Sequence, residues 1–156
     1  MVMISERPPE VADWAVLGHW EGDLIIGLGH RSAVGTLVER TSRLVPLLHL
    51  PHDHSAETVE VTMRKTIMKL PAELRRSVTW DQGSEMANHV NVTMATGMPI
   101  YFCDPRSPWQ LGCNENTNAL LRQYLPKERD LSVYTAADLR RIQWSIDSRP
   151  RAPAAT

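Results

Sequence analysis

The stretch HWEGDLIIGL, residues 19–28, alternates apolar and acidic side chains and predicts a β-strand that carries a carboxylate. Trp20, Leu24 and Ile26 fall on one face of this strand, and Glu21 and Asp23 fall on the other. Aspartate is depleted in strands because its side chain competes for backbone hydrogen bonds and packs poorly on a pleated surface. Asp23 therefore has either a structural bond to a neighbouring loop or a functional role, and the strand alone favours the structural one.

Further strands and helices follow this stretch in a regular order. Short runs rich in branched apolar residues predict strands at residues 32–39, 43–50, 78–80 and 99–102. Apolar residues at helical spacing predict helices at residues 55–69, 84–95, 114–125 and 135–147. Hairpins followed by alternating strands and helices predict an α/β fold, with one mixed sheet and helices packed on its faces.

Length and composition indicate one globular domain. The chain has 156 residues, of which 42% are hydrophobic and 22% are charged, and this length suffices for a single core. No apolar run approaches the roughly 20 residues that a membrane span needs, and the polar lead-in at residues 1–17 lacks the features of a secretory signal. Cys103 and Cys113 have no Cys-x-x-Cys spacing, so we expect free thiols and a cytoplasmic protein.

Charge is distributed unevenly along the chain. The formal net charge is -1, which argues against a uniformly basic surface for nucleic acid. From residue 120 onward, however, basic residues outnumber acidic ones; they are Arg122, Lys127, Arg129, Arg140, Arg141, Arg149 and Arg151. This basic region can contact phosphate, although a solvated helix face explains the charges equally well.

Two further carboxylates stand at positions typical of functional sites. Asp81 directly follows the fourth predicted strand, where a turn-forming role and a functional role fit equally well. Glu115 lies at the start of a predicted helix, where an acid is favourable to the helix dipole. The dipole does not explain why Asn114, Asn116 and Asn118 surround Glu115. Amides in this arrangement can orient a carboxylate or a phosphate oxygen.

Asp23, Asp81 and Glu115 together indicate a metal site. Converging carboxylates repel one another and raise each other's pKa, and a divalent cation removes that penalty. Oxygen ligands favour Mg²⁺ or Mn²⁺, and two such ions can clamp the attacking and leaving oxygens of a phosphodiester. Arg122 follows Glu115 by about two helical turns, so we expect it to project from the same face and reach a bound phosphate.

Six segments of the chain match one pattern: HWEGDLIIG (19–27), GTLVERTSR (35–43), LRRSVTWDQGSEM (74–86), YFCDPRSPWQLGCNENTNALLRQYLPK (101–127), DLS (130–132) and RPR (149–151). Through these segments the chain resembles, over residues 18–151, the catalytic domain of bacterial insertion-sequence transposases of the IS-thirty type. These transposases are part of the retroviral-integrase-like Asp-Asp-Glu superfamily.

The resemblance implies a ribonuclease H-like fold with a five-stranded mixed sheet in the order 3-2-1-4-5 and helices on both faces. It implies that Asp23, Asp81 and Glu115 hold two Mg²⁺ or Mn²⁺ ions and catalyse cleavage at the element ends, followed by strand transfer into target DNA. The partners it implies are DNA and further copies of the chain. The residues that we expect to contact DNA are Arg106, Trp109, Asn114, Asn118, Arg122 and Lys127.

The chain also departs from the family pattern. Leu111, Ala119, Asp147 and Ala152 stand where Arg, Gly, Asn and Lys are expected. We expect residues 152–156 to be a truncated tail. The resemblance implies N-terminal helix-turn-helix modules that recognise element ends, so we expect this sequence to be either an excised catalytic domain or the product of a decayed or frameshifted element. Two alternatives therefore stand beside an active transposase domain. One is a non-catalytic remnant that folds, binds DNA weakly or dimerises, and the other is a stand-alone nuclease that cleaves without joining.

Several other side chains favour structural roles. His52, Asp53 and His54 follow a proline and predict a solvated loop instead of a metal pair. Trp80 is expected in the core, whereas Trp109, on a loop, is better placed to stack on a DNA base. Four methionines have the spacing of helix core; they are Met63, Met68, Met86 and Met94.

Overall fold

The computed structural model describes residues 1–7, 16–81, 83–104 and 112–148, except for the side chains of Ser5, Cys113 and Asn114. Its strands are β1 (Val2–Met3), β2 (His19–Ile26), β3 (Ala33–Glu39), β4 (Leu47–Leu50), β5 (Ser77–Trp80) and β6 (Ile100–Phe102). Its α-helices are α1 (Ala56–Met68), α2 (His89–Thr96), α3 (Gly112–Leu121) and α4 (Ala136–Asp147).

All the strands form one mixed sheet in the order β1-β6-β5-β2-β3-β4. The strands β2, β3 and β4 are antiparallel neighbours, whereas β5, β6 and β1 continue from β2 as parallel neighbours. Without β1, the order from the opposite edge is β4-β3-β2-β5-β6. This is the 3-2-1-4-5 arrangement expected from the sequence, so the predicted topology of the five core strands is confirmed.

Strand β1 is absent from the sequence prediction, which gives residues 1–17 only as a polar lead-in. Val2 and Met3 pair in parallel with Tyr101 and Phe102 at the edge of the sheet. A strand of two residues is too short to show alternation in a sequence. Its position is determined by pairing with β6. Val2 and Met3 are therefore part of the sheet.

Several element boundaries also differ from prediction. The helix expected at residues 84–95 is divided into a 3₁₀ turn, Ser84–Met86, and α2, which ends at Gly97 with a φ of 75°. The third predicted strand begins only at Leu47, because Arg43 has a left-handed φ of 67° and Pro46 has no amide proton. The helix α3 ends earlier than expected, and a tighter turn with hydrogen bonds three residues back follows it.

Two apolar clusters cover the two faces of the sheet. One contains Trp80 together with the buried residues of α1 and α2, and the other contains Ile25 together with those of α3 and α4. Helices therefore lie on both faces, as expected. Of the methionines assigned to helix core, Met63 and Met86 are buried.

Met68 and Met94 are 52% and 81% exposed, so their assignment to the core is wrong. The buried stripe of α1 is formed by Val59, Met63 and Ile67, and Met68 lies off that stripe. Among the described residues, no helix combines the length and the apolar character that crossing a bilayer requires.

The loop at His52, Asp53 and His54 caps α1, which confirms its structural role. Asp53 Oδ1 accepts hydrogen bonds from the Ser55 amide at 3.0 Å and from the Thr58 hydroxyl at 2.6 Å. These bonds, the Thr58 hydroxyl first among them, lower the pKa of Asp53 to about 2. The Asp53 carboxylate therefore has a structural role at the start of α1.

Candidate functional site

Asp23 lies within β2, and Asp81 directly follows β5, the parallel strand beside β2. The register of β2 and β5 pairs Gly22 with Trp80, and each aspartate is the residue that follows this pair. Asp23 continues β2, whereas Asp81 is the first residue beyond β5 and is exposed. Because the carboxyl ends of parallel strands meet at one edge of the sheet, two of the three carboxylates singled out from the sequence lie at the same place.

The absence of a side chain at Gly22 permits this close packing. A Cβ atom placed on Gly22 would lie 2.1 Å from Cε3 of Trp80, so any larger residue would displace a fully buried indole. The other end of that indole is also held, because Trp80 Nε1 donates a hydrogen bond to Oε1 of Glu85 at 3.2 Å. Trp80 therefore links β2 to the loop that follows Asp81.

Two donors hold the Asp23 carboxylate. The Leu24 amide donates to Oδ1 at 2.8 Å, and Nδ2 of Asn118 donates to Oδ2 at 3.2 Å. Oδ1 of Asn118 accepts in turn from the buried Thr36 hydroxyl at 3.4 Å. The amide of Asn118 lies against Asp23 in the structure, and its contact with DNA, expected from the sequence, stays a prediction. Asn118 therefore joins α3 to the strand that carries this aspartate.

Burial raises the pKa of Asp23 to about 6. The carboxylates of Asp81 and Glu85 raise it as well, while the hydrogen bonds from Leu24 and Asn118 oppose the shift. Negative charge is thus concentrated where water is partly excluded. Glu85 is absent from the candidates chosen from the sequence, and its only signal there is its position four residues after Asp81.

Glu115 lies in the first turn of α3 with its side chain exposed. Asn118 follows it by nearly one helical turn, so the helix that carries Glu115 is anchored at Asp23. Within the described ranges, which omit residues 8–15, 82, 105–111 and 149–156, no three His, Cys, Asp or Glu side chains are grouped so that they could hold a metal ion. Glu115 as the third metal ligand stays a prediction.

Arg122 lies at the carboxyl end of α3. It follows the last residue of α3, and its guanidinium donates to the carbonyl oxygens of Leu125 at 3.2 Å and Ile26 at 3.3 Å. These bonds hold the chain after α3 against the end of β2. The Arg122 amide still donates to the Asn118 carbonyl oxygen at 3.0 Å, so the helical hydrogen-bond pattern reaches this residue, and its contact with a bound phosphate stays a prediction.

The other residues expected to contact DNA lie around the same helix. Lys127 is exposed in the turn after α3. Arg106 and Trp109 lie outside the described residues, as does the side chain of Asn114. Their contact with DNA stays a prediction.

A buried charge network lies beside Asp23 on the same face of β2. Nε of Arg40 is 3.1 Å from Oε2 of Glu21, and these side chains are only 11% and 2% exposed. Glu21 precedes Asp23 by two residues, so both project from one side of the strand. A guanidinium nitrogen of Arg7, from the segment after β1, donates to the Thr79 hydroxyl on β5 at 3.1 Å. The network joins the N-terminal segment to the two strands that hold the aspartates.

Cys103 lies just beyond β6 and is a buried thiol, as expected. Burial raises its pKa to about 12, and the charges of Asp81 and Glu21 act in the same direction. Because the thiolate is the nucleophilic form, this shift disfavours reaction of Cys103 at neutral pH. The side chain of Cys113 lies outside the described residues.

The chemistry around Asp23 fits a hard divalent cation. Carboxylate oxygens are the ligands that Mg²⁺ and Mn²⁺ prefer, and Asp23 and Asp81 present them from neighbouring strands. The raised pKa of Asp23 marks a place where added positive charge would be stabilising.

The sheet order, the helices on both faces and the paired aspartates define a ribonuclease H-like α/β protein. The chain belongs to the integrase core domain family, because its residues 15–108 match the family model described as "Integrase core domain". The catalytic core domain of BIV integrase has a similar fold, with a TM-score of 0.61 over 89% of this chain and 90% of that one, at 17% sequence identity.

Transposases are close relatives in sequence. The chain is 54% identical over 151 residues to the transposase for insertion sequence element IS1086 of Cupriavidus metallidurans, covering 97% of this chain and 44% of that protein. It is 45% identical over 148 residues to transposase InsI for insertion sequence element IS30A of Escherichia coli, covering 95% and 38%. The resemblance to the IS-thirty type is thus confirmed, and the chain spans less than half the length of these curated relatives.

Proposed function

We propose that the chain is the catalytic domain of a DNA transposase. It would cleave a DNA strand at the ends of a transposable element and join the freed 3′-hydroxyl to target DNA. The observation that carries this proposal is the position of Asp23 within β2 beside Asp81, which directly follows the adjacent parallel strand β5, in an integrase core. Relatives named as transposases, matching almost the whole chain, support the same reaction.

The residues that would hold Mg²⁺ or Mn²⁺ are Asp23, Asp81 and Glu115. Two such ions, when bound, stabilise the attacking and leaving oxygens of a phosphodiester and favour loss of a proton from the attacking water or hydroxyl. The protein's own contribution is orientation: Leu24 and Asn118 fix the two oxygens of Asp23 by hydrogen bonds. This arrangement sets one carboxylate in place before the substrate arrives.

Both steps are substitutions at phosphorus, and they need no covalent bond to the protein. In the first, water attacks a phosphodiester and releases a 3′-hydroxyl. In the second, that hydroxyl forms a new ester bond to a target phosphate while the target's own bridging bond breaks. Such a domain would act in the cytoplasm on element ends and target DNA, and it would work as a homo-oligomer. The proposed DNA contacts are Arg106, Trp109, Asn114, Asn118, Arg122 and Lys127.

Metal titration calorimetry tests this function most directly. The wild type should bind Mn²⁺ and Mg²⁺, and Asp81→Asn and Glu115→Gln should each lose most of that affinity. Glu73→Gln, which neutralises an exposed acid in a surface turn, is the matched control and should bind as the wild type does. If the folded wild type takes up neither metal, even with short DNA present, the remnant alternative replaces this proposal.

A strand-joining assay then separates a transposase from a stand-alone nuclease. Oligonucleotide duplexes that expose a 3′-hydroxyl are incubated with the protein, Mn²⁺ and a supercoiled target. Joined products that disappear in Asp81→Asn support the transposase. Cleavage of the same DNA without joining supports the nuclease.

A further inference from the structure

The outer face of α4 presents an exposed tryptophan between cationic side chains. Trp144 is 72% exposed, whereas the other described aromatic side chains are buried or half-buried. Arg140 and Arg141 precede it by four and three residues, so all three project from one side of the helix. Together with Ala137 and Ser145 they line a shallow surface cavity.

The packing of α4 is complete without this face. Leu139, Ile142 and Ile146 are buried against the sheet. On the same inner side, Gln143 Oε1 accepts a hydrogen bond from the Leu47 amide of β4, and Asp147 Oδ1 accepts one from the Val45 amide. Trp144 takes no part in these contacts. Stability of the domain therefore does not explain why a large apolar ring stands in water at this position.

The charges around Trp144 select an anionic partner. Arg141 is paired with Asp138, which is the one acid among the described residues that line these cavities. A second cavity, which shares Arg141 and Ser145 with the first, also includes Arg129. The surface is thus net positive around an indole with small neighbours. It suits a planar base with flanking phosphates better than an apolar protein surface, which needs a wider apolar patch.

We propose that this face of α4 binds single-stranded DNA, with a base stacked on Trp144 and the neighbouring phosphates on Arg140 and Arg141. The inference rests on the proposed function, which supplies the DNA, and adds a second contact surface to it. The helix packs along β4, which is two strands from β2 and about 10 Å from it across the sheet. This surface would bind a DNA strand beside the one that reacts. It would not bind the phosphodiester bond that is cut.

Fluorescence anisotropy with a labelled oligothymidylate, in chelator and without metal, tests the proposal. Trp144→Ala should weaken binding by roughly 5- to 150-fold, because stacking of one base is lost. Trp144→Phe should restore most of the affinity, since a ring is kept. The double variant Arg140→Ala with Arg141→Ala should weaken binding and reduce the slope of log affinity against log salt by about 1.4, the value for two phosphates of a single strand.

The matched control is the pair Arg64→Ala with Lys65→Ala on α1. It removes the same charge, and Arg64 is paired with Glu60 much as Arg141 is with Asp138. This control should lower affinity for the oligothymidylate much less. The proposal is overturned if the wild type does not bind the oligothymidylate, if Trp144→Ala binds it as the wild type does, or if a duplex of the same length depends on Trp144 equally.

Sedimentation of the same variants excludes a competing occupant. If Trp144→Ala turns a wild-type dimer into a monomer, the face joins copies of the chain and the DNA proposal fails. Failure of the proposed function would give a different set of results. A protein that binds oligothymidylate through Trp144 but takes up no metal keeps this surface and loses the transposase reaction.

Discussion

Asn118 donates a hydrogen bond from Nδ2 to the Asp23 carboxylate at 3.2 Å, across 95 residues of sequence. The same amide accepts from Thr36 at 3.4 Å, so its orientation is fixed from both ends. Helix α3 therefore reaches the sheet at the aspartate itself. The side chain that sets the geometry of the first carboxylate lies on the helix that carries Glu115.

Asn118→Ala should weaken Mn²⁺ binding about 10- to 100-fold, because a residue that orients a metal ligand contributes to affinity on that scale. Titration calorimetry measures this change. Asn116→Ala, at an exposed position on the same helix, is the control and should bind metal as the wild type does. Equal affinities in the two variants would remove the orienting role of Asn118.

Asp23→Asn should stabilise the fold at neutral pH. The pKa of Asp23 is about 6 in the folded protein against 3.8 for the ordinary side chain, so the folded state binds more protons between these values. Wild-type stability therefore falls as pH rises through this window, by up to about 3 kcal/mol, and the penalty is fully present above pH 6.

Urea unfolding at pH 4 and pH 7 measures this effect as the difference between the wild type and Asp23→Asn. The difference should be near zero at pH 4 and should favour the variant at pH 7. Asp53→Asn should show the opposite sign at pH 7, because the Thr58 hydroxyl holds the pKa of Asp53 near 2. A variant of Asp23 that is less stable than the wild type at pH 7 would contradict the burial argument.

Gly22→Ala should destabilise the domain by about 1–3 kcal/mol, since overpacking forces a buried ring or the strand to move. The added Cβ would meet the six-membered ring of Trp80 at 2.1 Å. Thermal unfolding reports the loss, and Gly112→Ala, where nothing lies within 4 Å of the added atom, serves as the control. Equal melting temperatures for both variants would show that Trp80 is free to shift.

Arg40→Met should cost up to about 3–5 kcal/mol of unfolding free energy, because it removes a cation paired with the buried Glu21 carboxylate and leaves the charge of Arg7 as a partial compensation. Arg64→Met, at an exposed pair one helical turn apart, should cost no more than about 1 kcal/mol. Chemical denaturation compares them. Adding Glu21→Gln to Arg40→Met should recover part of the loss, and a purely additive pair would argue against charge as the cause.

The sequence predicts those features that depend on local patterns. Alternation in β2 places Asp23 opposite Trp20 and Leu24, and the five core strands and most of the helices follow from periodicity in the same way. The contact between Asn118 and Asp23 depends on how α3 crosses the sheet, and no local pattern records it. Glu85 is missed because its contact with the Trp80 indole cannot be inferred from the sequence, in which Trp80 is predicted only to lie in the core.

Boundary errors have a similar origin. Tyr124 and Leu125 continue the apolar period of α3 in the sequence, but the chain tightens after Leu121. The Arg122 guanidinium binds backbone carbonyls there, which no local pattern indicates. Two paired residues at the N-terminus leave no periodic trace, although the sheet includes them.

The short strand β1 also covers the edge of β6 and so limits self-association through that edge. Strand β6 would otherwise present the unpaired backbone groups of Ile100–Phe102 to solvent, and an open edge of this kind recruits strands from other molecules. With Val2 and Met3 in place, the sheet ends in a strand of only two residues, and Arg7 anchors the segment that follows it. A chain shortened to begin at Gly18 should therefore lose colloidal stability before it loses its fold, and light scattering would detect larger particles at temperatures where circular dichroism still reports a native sheet.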